Sequence, residues 1–175
     1  LTINTATVTG GNGIVALNYG TGDTSVTSTG PVTGTSGYGI YARANNGTDL
    51  TINVASVTGG SDGIYAYNYG TGATSITATG TVTGTNYDGI NARTYGTDLT
   101  INTAAVSGNG EGISAYNYRT GATSVTATGT VTGTNYDGID ARNLGANSTN
   151  LTIMAVNVTG GTNGIRTANY GTGAT

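Results

Sequence analysis

Gly80–Arg93 reads GTVTGTNYDGINAR, and Gly129–Arg142 reads GTVTGTNYDGIDAR, with the single exchange of Asn91 for Asp140. A looser copy, GPVTGTSGYGIYAR, occupies Gly30–Arg43. Self-similarity at a fixed spacing is the mark of a repeat architecture, in which each repeat is one unit of a stack. Working outward, L-T-I recurs at Leu1, Leu50, Leu99 and Leu151, so long repeats start near 1, 50, 99 and 151. The extra residues of the last interval lie within Asn143–Asn150.

Each long repeat divides into two related halves, and three columns of apolar anchors run through all of them. The first is Ile3, Val26, Ile52, Ile76, Ile101, Val125 and Ile153. A second is Val8, Val32, Val57, Val82, Val106, Val131 and Val158. The third is Ile14, Ile40, Ile64, Ile90, Ile113, Ile139 and Ile165. Around each anchor apolar and polar residues alternate, as in a strand with one buried face. Gly, Asn, Asp and Ser fill the spaces between, where turns need them. The spacing predicts an all-β chain: a parallel β-solenoid, or β-helix, of about seven coils of 23–27 residues, each with three short strands. The right-handed rule for parallel crossovers makes it right-handed. At ~4.8 Å per coil the stack is a rod roughly 34 Å long. An antiparallel sandwich with turns at Asn12-Gly13 and Asp62-Gly63 is the structural rival, but it leaves the sevenfold recurrence unexplained. Ala16, Ala42, Ala66, Ala92, Ala115 and Ala141, then Thr167, follow the third anchors by two residues and predict a narrow interior.

Residues 1–175 therefore read as one β-solenoid repeat domain, a section of a longer repetitive protein. With 38 Thr and 32 Gly, the composition opposes a helical reading. Absence of Cys removes disulfides and thiolate metal sites. Five Arg against eight acidic residues leave no basic patch, which argues against nucleic acid as a partner. No run approaches the ~20 apolar residues of a membrane helix, so no membrane insertion by this segment is expected.

Stacking turns sequence columns into surface ladders. Before each Gly-Ile stands Asn12, Tyr38, Asp62, Asp88, Glu111, Asp137 or Asn163. The four successive acids Asp62, Asp88, Glu111 and Asp137 read either as calcium ligands, since hard cations want clustered oxygens, or as turn residues before Gly. Gly59-Gly60-Ser61-Asp62-Gly63 does not meet the calcium-binding pattern G-G-x-G-x-D. Three residues after each third anchor come Leu17, Arg43, Tyr67, Arg93, Tyr116, Arg142 and Ala168. Arg43, Tyr67, Arg93, Tyr116 and Arg142 predict a ladder of guanidinium groups interleaved with phenol rings, as a binding surface or as a brace for the rod. A corner column of Tyr19, Tyr69, Tyr95, Tyr118 and Tyr170 follows, and Asn18, Asn68, Asn117 and Asn169 precede four of these, with amides expected to bond from coil to coil. Thr9, Thr33, Thr58, Thr83, Ser107, Thr132 and Thr159 predict a hydroxyl ladder of the kind that could meet ice.

Units of the form T-G-T-x-x-x-G-I-x-A, alternating with G-x-G-x-x-S-V-T, resemble the passenger regions of large bacterial autotransporter adhesins. The resemblance covers the whole chain at the level of repeat style. It implies a right-handed β-helix, export to the bacterial cell surface, and a role in adhesion, biofilm or surface fibres. It carries over no catalytic residue. The expected function is an extracellular rod, fibre or adhesin without a cofactor. Its expected partners are further copies stacked end to end through open coil edges, or a cell-surface or extracellular-matrix receptor. Asp88, Asp137, Asp140 and Arg142 are the candidates if the chain were instead a polysaccharide-active enzyme. Their place in repeated columns argues against catalysis, which needs a singular site.

Overall fold

In the structure, a computed structural model, all 175 residues are described, and every regular element is a strand. Each of the first five coils has three strands. In coil 3 they are Leu50–Val54, Val57–Gly59 and Ile64–Asn68, and in coil 4 Thr74–Ala78, Val82–Gly84 and Ile90–Thr94. All pairing is parallel and in register from coil to coil: Ile52 with Ile76, Val57 with Val82, Ile64 with Ile90. The expected β-solenoid of about seven coils is the fold observed. In coils 6 and 7 the first and second strands run on as single strands, Thr120–Gly133 and Asn147–Gly160. These join the first two ladders into one twelve-stranded sheet, while the third strands form a separate seven-stranded sheet.

One expectation of spacing needs correction. The pairing of Val125 with Ile153 spans 28 residues, one more than the widest unit expected. The insertion between them lengthens the first strand at its start, so that Asn147 and Ser148 pair with Thr120 and Gly121. Gly121 has φ of +78°, a conformation costly for residues with a Cβ, and a register shift follows it.

The interior is one continuous column of Ile, Val, Leu and Ala. Ile40, Ile52, Ile64, Ile76, Ile90 and Ile101 are fully buried, as are the alanines of the third strands from Ala42 to Ala141. A further inward column alternates Thr24, Leu50, Thr74, Leu99, Thr123 and Leu151. Large and small side chains thus take turns along the axis, which explains why the sequence repeats most closely at every second coil. Gly63 shows how tightly the coils close. A Cβ there would lie 2.5 Å from the carbonyl oxygen of Gly89 and 2.7 Å from Val82 Cγ1, both in the next coil.

Candidate functional site

Strand alternation sends Ile90, Ala92 and Thr94 inward and leaves Asn91 and Arg93 outside. The third sheet therefore carries two outer columns. One is Tyr41, Tyr65, Asn91, Ser114, Asp140 and Arg166, and the other is the predicted Arg43, Tyr67, Arg93, Tyr116 and Arg142.

The Arg/Tyr residues do stand in successive coils. The Arg93 guanidinium lies 5.2 Å from the Tyr67 ring centre and 5.6 Å from that of Tyr116, and Arg142 lies 5.3 Å from Tyr116. Arg43 departs from the pattern and covers the corner ring Tyr69 at 4.9 Å. Tyr67 instead stacks on Tyr65, with ring centres 4.6 Å apart and planes 18° off parallel. Tyr41 and Tyr65 have no place in the columns expected from sequence. Both gather with Tyr38, and Tyr67, 5.7 Å from Tyr69, joins the ladder to the corner stack, where Tyr69, Tyr95 and Tyr118 lie face to face 5.0 and 4.5 Å apart. Tyr19 and Tyr170, expected in that stack, are exposed at its two ends. Burial pushes the Tyr116 phenol up to about 12 and raises that of Tyr67 still further.

The column before Gly-Ile acts between coils more than within its own turn. Asn12 Oδ1 accepts the N–H of Tyr38, Asp62 Oδ1 that of Asp88, Asp88 Oδ1 that of Glu111, and Asp137 Oδ1 that of Asn163. Each short side chain ties its turn to the equivalent turn of the next coil. Glu111, one methylene longer, lies instead with Asp137 and Asp140, and oxygens of the three acids fall within 4.8 Å of one another. Of the four calcium candidates, the structure thus brings Glu111 and Asp137 together with Asp140. It leaves Asp62 and Asp88 as a separate pair. Asp140 was not in the sequence column, and the signal that marks it is the one exchange between the two best copies. Asp140 is 1% exposed, ion-paired with Arg142, and accepts the Tyr116 hydroxyl at 2.9 Å. That ion pair raises the Arg142 guanidinium. Burial, then the charges of Asp88, Asp140 and Asp137, push Glu111 up to about 7, against the pull of a Ser114 hydrogen bond. Burial and Asp88 push Asp62 up to about 6. Burial works upward on Asp137 as well, but hydrogen bonds from Thr162 and Asn163 outweigh it and hold the group low.

The corner asparagines correct a further expectation. Their amides bond backbone carbonyls, not one another. Asn68 Nδ2 lies 3.1 Å from Thr48 O and 3.3 Å from both Gly72 O and Ala73 O, while Oδ1 accepts the Gly70 N–H at 2.9 Å. Asn117 and Asn169 repeat the device, and Asn143 repeats its donor half while its Oδ1 accepts the Thr123 hydroxyl. Ala44 and Thr94 isolate Asn68 in the column, whereas Asn117, Asn143 and Asn169 stand in register one above the other, and these too donate to backbone carbonyls.

On the other sheet, Thr9, Thr33, Thr58, Thr83, Ser107, Thr132 and Thr159 pair in register as expected. A second hydroxyl column, Thr2, Ser25, Thr51, Ser75, Thr100, Ser124 and Thr152, runs unbroken beside the first anchors. Between the first and second strands lies a shallow groove bordered by Thr77, Thr79, Asn102, Thr126 and Thr128.

The chain matches no protein-family model, no curated protein and no solved structure.

Proposed function

We propose that the chain is a non-enzymatic section of an extracellular rod, a surface fibre or adhesin of a bacterial cell, with its ladders as contact surfaces for a cell-surface or matrix receptor. The observation that carries this reading is the unbroken parallel register of all seven coils. A stack of this kind is a stiff element that extends by adding coils, and it presents the same side chains at regular intervals along its length. Its outer faces support the reading through their hydroxyl, amide and phenol groups, which suit contact more than chemistry. The acids and arginines that could act as catalytic groups are mostly committed to neighbours within the stack, as in the Asp140–Arg142 pair. Antibodies raised against the chain are expected to label intact cells of the source, and beads coated with the chain are expected to bind host cells or matrix. Labelling only after permeabilisation would reject a surface location.

One observation favours ice binding as a second reading: the hydroxyl column from Thr2 to Thr152 has no break in seven coils. Thermal hysteresis of the purified chain tests it directly, and Thr51→Tyr with Thr100→Tyr should abolish any activity seen.

A further inference from the structure

Coils 2 to 4 border a groove of about 280 Å³ lined by Tyr38, Tyr65 and Tyr87 together with Asp62, Asp88 and Asn91. Apart from the phenol hydroxyls, its hydrogen-bonding groups are acceptors or spent donors. Asp62 Oδ1 and Asp88 Oδ1 each take a backbone N–H of the next coil. The nearby donors are spent on the remaining oxygens: Ser61 Oγ donates to Asp62 Oδ2 at 3.2 Å and Asn91 Nδ2 to Asp88 Oδ2 at 2.9 Å. Asn91 is only 9% exposed, and its Oδ1 is buried without any partner. An orphan carbonyl thus adds its negative end to two carboxylates. Neither carboxylate has an ion-pair partner, because the salt bridge of this protein joins Asp140 and Arg142. Arg93 acts on Asp88 only through its field. Around this negative centre stand phenol rings, with Tyr38 and Tyr65 centred 5.1 Å apart and Tyr87 62% exposed. Ring faces are themselves negative and attract cations within about 6 Å.

Three ligand classes can be weighed against this inventory. A neutral sugar finds donors here only in the phenol hydroxyls and leaves the charge of the two carboxylates unmatched. Calcium needs six to eight oxygens at about 2.3–2.6 Å and gains nothing from ring faces. A protonated amine needs few acceptors, a negative field and aromatic walls, and the groove supplies all three. The chain contains no Lys, and its α-amino group is bound to Asp23 O at 2.7 Å, so such a group must come from outside it.

We propose that this groove binds a small organic ammonium ion, with its charge between Asp62 and Asp88 and its alkyl part against Tyr38, Tyr65 and Tyr87. This site goes beyond the rod function and does not depend on it.

The test is an NMR titration of the whole chain with n-butylammonium chloride at constant ionic strength. The ring protons of Tyr38, Tyr65 and Tyr87 and the side-chain amide of Asn91 are followed. Saturable shifts confined to these groups are expected, with Kd on the order of 1 mM. In the double variant Asp62→Asn, Asp88→Asn the affinity should fall at least about tenfold. That variant can retain the inter-coil bonds, since Asn12 makes the same bond to Tyr38 N at 3.0 Å. Tyr87→Ala, on an exposed ring, should weaken binding severalfold, and it decides the matter if the double variant misfolds. Calcium chloride and methyl glucoside are the competing probes. The proposal is overturned if n-butylammonium gives no saturable shift, if calcium or the sugar saturates the same groups and the amine does not displace it, or if the variants bind as the parent does.

Discussion

Replacing Asn68 tests the idea that buried corner amides hold the coils together. Asn68 is fully buried, and its side chain makes the bonds to Thr48 O, Gly72 O and Ala73 O and takes the Gly70 N–H. Two amide hydrogens serve the three carbonyls, so Asn68→Ala removes about three good hydrogen bonds, counting that of Gly70. At about 1 kcal/mol net for each, the expected loss is about 3 kcal/mol. Asn68→Asp is the sharper probe. It preserves shape and the Gly70 bond but turns an acceptor toward three carbonyls, so at pH 7 it should cost at least as much as Ala. A protonated Asp regains one donor, so part of its loss should be recovered near pH 4. Urea unfolding measures the cost, with the m-value watched for loss of cooperativity, because coils contact only their neighbours. Amide exchange at Gly70 localises the effect. A loss under about 1 kcal/mol for Ala, or an Asp variant as stable as the parent at pH 7, would refute the reasoning.

Thr74 lies fully buried between Leu50 and Leu99, and its hydroxyl has no partner. Thr74→Val should therefore stabilise by about 1 kcal/mol in urea unfolding, and a destabilisation would show that the hydroxyl has a hidden partner. Gly63→Ala sets a methyl against backbone of the next coil and should cost about 3 kcal/mol or prevent folding, whereas wild-type stability would mean that the coils can slide apart. Asp62 and Glu111 are acids with raised folded-state values, about 6 and about 7, so the folded state binds more protons than the unfolded state between roughly pH 4 and 7. Stability should then rise as pH falls from 7 toward 5, by about 1 kcal/mol per group after solvent screening. Below about pH 4 the depressed groups Asp137 and Asp23 lose their contribution and the trend reverses. Melting followed by circular dichroism at pH 5 and 7 checks this, Glu111→Gln should remove part of the gain, and a higher midpoint at pH 7 would contradict it.

Much of this molecule is written in short-range periodicity. The period of two sorts residues inward or outward, and the recurrence of Ile, Val and Ile at coil spacing selects parallel stacking, because only like above like buries all three columns. From those two facts follow the seven coils, the narrow Ala-lined core, and the outward ladders of Arg, Tyr and Thr. The exchange of Asn91 for Asp140 was visible in the sequence, but its consequence was not.

What the tertiary structure alone decided is how columns meet across turns. The position of one corner relative to the next depends on turn geometry and side-chain rotamers, which have no period in the sequence. For that reason Tyr65 draws Tyr67 away from Arg43, Glu111 reaches Asp140 rather than the backbone of its neighbour, and the asparagine amides find carbonyls of the chain instead of each other. The groove between Asp62 and Asp88 arises in the same way, from residues of three coils that no single repeat contains.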